Sequence, residues 1–394
     1  MSLSFGYKEK LTIKLIGFLF LFGISACTEP FQGEVEGLED VLVVNALITN
    51  ENKAQEVSLT RPYRFDEDAP TAEQNAIVSI DDGEEQFFFD EVEPGKYISN
   101  IPFAAEISKT YRLDITLENG RSYRSDTMQL PVATTNIDEL YAERITDDDG
   151  EEGMGIFVDT FDASKQSNYY RYEYDETFKI IAPFWSPQDI VFVIQLSTGP
   201  AFQVILRERE ERVCYGADSE KTINVINTLN LGEDRLSRFR VRFIGRDNYI
   251  LSHRYSINVR QYVQTPEAFA YYDALRGLSQ SSTTVFSEDQ PGFLAGNIFS
   301  LDDRNENVAG FFEVATVTEK RLFFDYEDFF AGEDLPPYFQ NCIPAPQSGE
   351  DLKGTLARGE RVYFDSNGGF RTVSRACGDC NALGSNKIPD FWVE

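Results

Sequence analysis

The chain of 394 residues contains a single histidine, two tryptophans and three methionines. One histidine leaves no material for a His-rich metal centre, and a Ser-His-Asp triad would have to be built on His253. That residue lies in the alternating stretch Leu251-Ser-His-Arg-Tyr-Ser-Ile257, and no nucleophile-elbow pattern accompanies it, so it reads as a structural histidine in a strand. Phosphate-cradling loops and dinucleotide fingerprints are missing as well. Positive charge is scarce: 36 Lys and Arg stand against 66 Asp and Glu, a net charge of −30. Such a field repels a phosphate backbone, which excludes DNA and RNA as partners. No repeat of 20–50 residues is present, which argues against a propeller or solenoid.

What the chain does have begins at its start. Lys8, Lys10 and Lys14 precede an apolar run from Leu15 to Ile24. A basic start and a run of roughly ten apolar residues, half of what a bilayer core requires, make a secretory leader rather than a membrane span. The run ends in Ile24-Ser-Ala-Cys27, the aliphatic-small-small-cysteine pattern of a bacterial lipobox. The Cys27 thiol is therefore expected to carry diacylglycerol, with cleavage just before it and acylation of the new amino terminus. Several acyl chains on one residue make a stable anchor. Residues 1–26 are thus the leader, and 27–40 a tether containing Pro30, Gly33, Gly37 and four glutamates, able to extend about 40 Å. No later stretch is apolar and long enough to span as a helix.

Thirty-two Phe and nineteen Tyr favour strands, because aromatic rings fit a pleated, half-buried surface. The fold class expected is mainly β. Residues 41–130 show about seven short strands with turn signals at Asp81-Asp82-Gly83-Glu84 and Glu118-Asn119-Gly120-Arg121, the rhythm of an immunoglobulin-like β-sandwich. Residues 131–136 read as a linker. Residues 137–394 then form a larger antiparallel β-rich domain, with strands expected at 155–161, 169–178, 190–196, 239–245, 253–263 and 308–317. One helix is expected near 266–278, where Thr265-Pro266-Glu267 supplies a cap, a proline at the first helical position and an early acid.

Four cysteines remain beside Cys27: Cys214, Cys342, Cys377 and Cys380. An even count in an exported chain points to two disulfides. A redox role for Cys377-Gly-Asp-Cys380 would need a strand–helix–strand unit, and too few residues follow to build one. A four-cysteine zinc site would usually show two close pairs, whereas Cys214 and Cys342 stand far apart. Closing Cys377 onto Cys380 would make a very small ring, so each is expected to reach a distant partner.

The acidic runs 147–152 and 302–307 are rich in oxygen ligands, but neither follows the alternating order of a known calcium loop, and both read as solvated loop tips. No cofactor is expected beyond the lipid on Cys27. The stretch from Phe323 to Phe339 is unusually aromatic and acidic. Gly332 and Pro336-Pro337 interrupt any regular strand there, so Phe329, Phe330, Tyr338 and Phe339 are candidates for a partner or ligand surface, against the alternative that they cap the core.

Several stretches together resemble the Bacteroidota lipoproteins grouped as domain of unknown function 4249. They are Cys27-Thr-Glu-Pro-Phe31, Leu42-Val-Val-Asn-Ala-Leu-Ile48, Gly95-Lys-Tyr97, Tyr255-Ser-Ile-Asn-Val-Arg-Gln-Tyr262, Gly296-Asn-Ile298, Gly310-Phe-Phe312, and Cys377-Gly-Asp-Cys380 with Pro389-Asp-Phe-Trp392. The resemblance implies an outer-membrane lipoprotein that accompanies a TonB-dependent, SusC-type transporter and helps capture its cargo; with no catalytic signature in the sequence to compete, a non-enzymatic role is expected. It brings no catalytic residues to carry over, and leaves open whether the body faces the periplasm or the exterior. Two other functions compete: an envelope structural or adhesion lipoprotein, and a carboxylate-dependent hydrolase of glycans or peptides.

Overall fold

The computed structural model describes residues 41–62, 70–220, 222–281, 294–367 and 369–394; Cys27 and the tether lie outside them. The described chain is mainly β. Among the described residues nine strands precede residue 130: β1 (Leu42–Thr49), β2 (Glu56–Arg61), β3 (Thr71–Ala72), β4 (Ile77–Asp81), β5 (Gln86–Glu93), β6 (Lys96–Ser99), β7 (Thr110–Thr116), β8 (Ser122–Ser125) and β9 (Met128–Gln129). In β7 the alternation is clean: Tyr111, Leu113 and Ile115 are buried while Arg112 and Asp114 face outward and pair with charges on neighbouring strands.

The following strands are longer: β10 (Ile137–Thr146), β11 (Glu152–Asp162), β12 (Tyr169–Ile181), β13 (Gln188–Leu196), β14 (Gly199–Leu206), β15 (Val213–Ser219), β16 (Asn224–Asn227), β17 (Asp234–Gly245) and β18 (Tyr255–Val263). The expected helix is α1 (Pro266–Ser281), opening where the Thr265 hydroxyl accepts from the Ala268 amide. After it come β19 (Ile298–Ser300), β20 (Val308–Phe324), the single-turn α2 (Tyr326–Phe329), β21 (Ala345–Gln347), α3 (Gly349–Arg358), β22 (Arg361–Asp365), β23 (Phe370–Ser374) and the single-turn α4 (Arg375–Gly378).

The principal sheet runs β15-β12-β18-β20-β1-β2-β6-β5-β4-β7-β8-β19. Its pivot is β20. Residues 308–315 of that strand lie parallel to β1, whereas 316–324 lie antiparallel to β18. One seventeen-residue strand therefore serves both the sheet of residues 41–130 and the sheet that follows. β19 adds to β8 at the other edge of the first part. Between β19 and β20 the Asn297 side chain acts as a strand would: its amide donates to the Phe312 carbonyl and its carbonyl accepts from the Phe312 amide.

Two glycines make this junction close enough. A Cβ on Gly310, whose φ is +110°, would lie 1.8 Å from the Val44 carbonyl oxygen. A Cβ on Gly296 would lie 1.6 Å from the Gly310 carbonyl oxygen. The Gly296-Asn-Ile298 and Gly310-Phe-Phe312 stretches thus fit a backbone contact that no side chain could share. Phe311, Phe312 and Val314 of β20 join Leu42, Val44, Val57 and Val78 in the core of this part.

A second sheet, β10-β11-β17, packs against one face of β12 and β18. Tyr170, Tyr172, Tyr174, Phe178 and Ile180 point into that interface with Met154, Ile156, Val158 and Ile244. A smaller core holds Ile190, Leu352 and Tyr363, packed by Phe202, Val204, Leu356 and Phe370; it joins the β13–β14 hairpin to α3 and the β21-β23-β22 sheet.

The last residues close over the edge of the principal sheet. Trp392 is buried, with its ring against those of Tyr215 and Phe323 at 4.9 and 5.7 Å. Arg321 stacks on Phe391 at 3.7 Å, and Lys179 pairs with Glu394 at 2.8 Å.

Candidate functional site

Alternation along β12 sends Tyr170, Tyr172 and Tyr174 to the core and Arg171, Glu173 and Asp175 to the opposite face. That second face carries Arg171, Glu173 and Asp175. Cross-strand pairing sets Arg171 against Tyr262 and Glu173 against Arg260 on β18. The Arg260 guanidinium donates to Asp175 at 2.6 Å and lies 3.9 Å from Glu173, while the Tyr262 hydroxyl donates to Glu173 at 3.0 Å.

Arg171 sits at the inner end of this ladder. It donates to Glu313 of β20 at 2.8 Å and to Glu173, and its guanidinium lies between the rings of Tyr262 and Tyr272, 4.3 and 4.6 Å from their centroids. Tyr272 comes from α1, which covers this end of the face. Glu313 is fully buried and also accepts from the Gln264 amide at 2.6 Å. Burial opposes the Arg171 charge, but Glu313, Tyr272, Glu173 and Tyr262 together outweigh it and hold the guanidinium above its ordinary pKa. The Nε of Arg171 has no partner among the described residues.

Beyond Arg171 the face opens into a groove of about 710 Å³. Its floor is Glu173, Asp175 and Arg260; Asn45 and Glu56 form one wall, and Ser219, Glu220, Thr222, Ile223 and Asn224 contribute the other. Glu220 organises that second wall by accepting from the Thr222 amide at 2.8 Å and from the Asn224 side chain at 3.1 Å. A neighbouring cavity of about 400 Å³ opens between the two sheets. At its base the Arg242 guanidinium grips Glu176 with two bonds of 3.1 Å, and the Tyr255 hydroxyl donates to the same carboxylate at 2.6 Å.

Chemically, the groove offers charged and amide groups already held in fixed orientations by their neighbours. Its floor carboxylates are ion-paired to arginine, which suits recognition of a polar ligand better than proton transfer. The signal for this face was present in Tyr170-Arg-Tyr-Glu-Tyr-Asp175, where rings and charges alternate without a break.

Of the residues singled out from sequence, the four cysteines form Cys214–Cys380 and Cys342–Cys377, with Cα atoms 5.5 and 5.7 Å apart. Cys377 and Cys380 thus reach different partners, as expected. The Cys214–Cys380 bridge fastens the C-terminal tail to β15. His253 is half-buried; burial, followed by the nearby Lys179 charge, lowers its pKa. The acidic loops use their carboxylates locally: Asp147 accepts from the Asp149 and Glu151 amides, and Glu306 binds Arg121 and Tyr123.

The four aromatic candidates do not assemble into one exposed surface. Phe330 is buried, stacked on Tyr326 at 4.7 Å with Arg144 over its ring at 4.5 Å. Phe329 packs edge-on against Phe324. The Tyr338 hydroxyl donates to the Ala376 carbonyl at 2.8 Å. Phe339 alone of the four is exposed, at 44%. The surface reading of Phe330 is therefore corrected: the turn of helix after Asp325 folds its ring back, which the interrupting Gly332 and Pro336 concealed.

The features define a class: a disulfide-fastened β protein with an ion-paired groove on the outer face of its central sheet. By its sequence the chain belongs to the family described as domain of unknown function (DUF4249), whose profile matches residues 28–321. That span includes the groove strands β12 and β18 and ends within β20. No curated protein matches the sequence.

Proposed function

We propose that this protein is a non-enzymatic, outer-membrane lipoprotein, anchored through Cys27, whose body helps capture cargo for a TonB-dependent, SusC-type transporter. The observation that carries the reading is the groove: a wide, polar recess whose floor carboxylates are locked by Arg260 and Arg171. Such a site recognises without reacting. The lipobox supports the anchor, and the absence of a nucleophile-elbow pattern in the sequence fits a binding role.

The experiment is gentle solubilisation of membranes followed by affinity capture of the tagged full-length protein. A large barrel protein recovered in stoichiometric amount is expected. Capture with no barrel partner refutes the transport reading, and Cys27→Ala that leaves membrane retention and mature mass unchanged refutes the anchor.

A further inference from the structure

Strands β16 and β17 follow one another in the chain yet belong to different sheets. They start close, where the Thr228 hydroxyl donates to Asp234 at 2.6 Å, and then part. β16 adds to β12 in the principal sheet, while β17 ends the sheet β10-β11-β17. Among the described residues neither has a second partner strand, so each keeps one open edge.

The hydrogen bonds on the paired sides fix which groups lie on the open ones. The Arg246 amide donates to the Glu152 carbonyl beside β11, so by alternation Phe243 turns its amide and carbonyl away from β11. The Val241 carbonyl turns the same way and accepts from the Asn224 side chain at 3.2 Å. On the other strand the Thr228 amide donates to Asn168, so Val225 faces away from β12, and the Arg276 guanidinium covers its carbonyl at 2.8 Å. Asn224 and Arg276 thus supply from side chains what a further strand would supply from its main chain.

Between the two edges lie recesses of about 400 and 580 Å³ that share Thr222, Asn224 and Arg240. The first extends to Glu220 and Phe243, the second to Val225, Phe239 and Phe269. Packed sheets stand about 10 Å apart, about twice the spacing of neighbouring strands. One extended segment therefore fits between an edge of the first sheet and an edge of the second.

We propose that this slot takes up an extended peptide, a segment of another polypeptide that adds as a strand between β16 and β17. Its main chain bonds Val241 and Phe243 on one side and Val225 on the other. Asn224, which now reaches across the slot, swings aside as the peptide enters. One face of the peptide meets Phe239 and Phe269 in one recess and the Glu220 carboxylate in the other, which favours an apolar residue with a basic one two positions away. A small polar molecule would fill one recess and leave the row of main-chain groups unpaired.

The probe is the blocked peptide acetyl-Lys-Val-Leu-Val-Lys-amide, whose side chains read the same in both directions. It is titrated by calorimetry into the full-length protein in mild detergent. Wild type is expected to bind it, and Asn224→Ala, which frees the Val241 carbonyl, to bind it several-fold tighter at unchanged melting temperature. Methylating the main-chain nitrogens of both valines should weaken binding roughly tenfold, because two amide donors are lost. Hydrogen exchange gives a second readout: the peptide should slow the Phe243 amide and leave the Ile244 amide, already turned to β11, unchanged. Absence of binding to both proteins overturns the proposal, as does an affinity that Asn224→Ala leaves unaltered or a Phe243 amide that does not respond. Methylated peptides that bind as tightly as the parent also overturn it, in favour of a small basic ligand held by side chains alone. None of these readouts involves the transporter or the larger groove, so this proposal and the cargo reading fail separately.

Discussion

Arg171 and Glu313, 142 positions apart in the chain, meet at 2.8 Å with the carboxylate wholly removed from water. The pair ties β12 to β20 at the inner end of the groove, across the intervening strand β18. Removing one partner leaves the other as an uncompensated buried charge. Glu313→Ala is expected to lower stability by about 3–5 kcal/mol, measured by urea denaturation. Replacing both, as Arg171→Met with Glu313→Leu, should recover much of that loss; a double change that costs the sum of the two single changes would show that the charges are not coupled.

Phe330 and Phe339, nine positions apart, should respond in opposite ways. Phe330→Ala empties a buried, stacked position and is expected to cost about 3–5 kcal/mol. Phe339→Ala removes an exposed ring and should change stability by less than about 1 kcal/mol. Thermal unfolding of the two variants decides the matter, and a larger loss at Phe339 would contradict the packing described above.

Peptide mapping without reductant should recover Cys214 with Cys380 and Cys342 with Cys377. On the chain-entropy account, removing the first bridge, which closes a 166-residue separation, costs about 5 kcal/mol, and removing the second about 4 kcal/mol. A peptide in which Cys377 is joined to Cys380 would exclude this arrangement.

Asp162 governs the acid side of stability at the turn into β12. Burial pushes its pKa up, but hydrogen bonds from the Ser164 and Ser167 hydroxyls and from backbone amides pull it down to about 2. A carboxylate whose folded pKa is depressed stabilises the protein above its unfolded pKa, and that contribution fades as pH falls through the folded one. Wild type should therefore exceed Asp162→Asn in stability by a constant margin above about pH 5, and the margin should shrink between about pH 4 and pH 2. Paired urea titrations would show it; a margin independent of pH would remove the carboxylate from the account.

Much of this architecture is local and therefore readable in sequence. The Thr265-Pro266 cap opens α1 where expected, although the helix continues three residues beyond 278 to Ser281. Tyr170 to Asp175 announces a strand with one apolar and one charged face. What sequence did not disclose is non-local. The stretch 308–317 reads as one ordinary strand, and nothing in it says that pairing changes from parallel β1 to antiparallel β18 near residue 315. Gly332 and Pro336 break strand periodicity after Phe330 without exposing its ring, so the sequence alone left that ring open between surface and core. The groove likewise required knowing that Asn45 and Glu56, distant in sequence, stand beside Glu173.

The double service of β20 also imposes an order in time. Leu42 is among the first residues of the body to leave the ribosome, yet its parallel partner Val308 follows 266 residues later. Until then β1 presents one unsatisfied edge, and the first core lacks Phe311, Phe312 and Val314. Contacts so distant in sequence form slowly. The first core therefore stays open along one edge until most of the chain has been synthesised, and a break in translation before residue 308 would leave it without its closing strand.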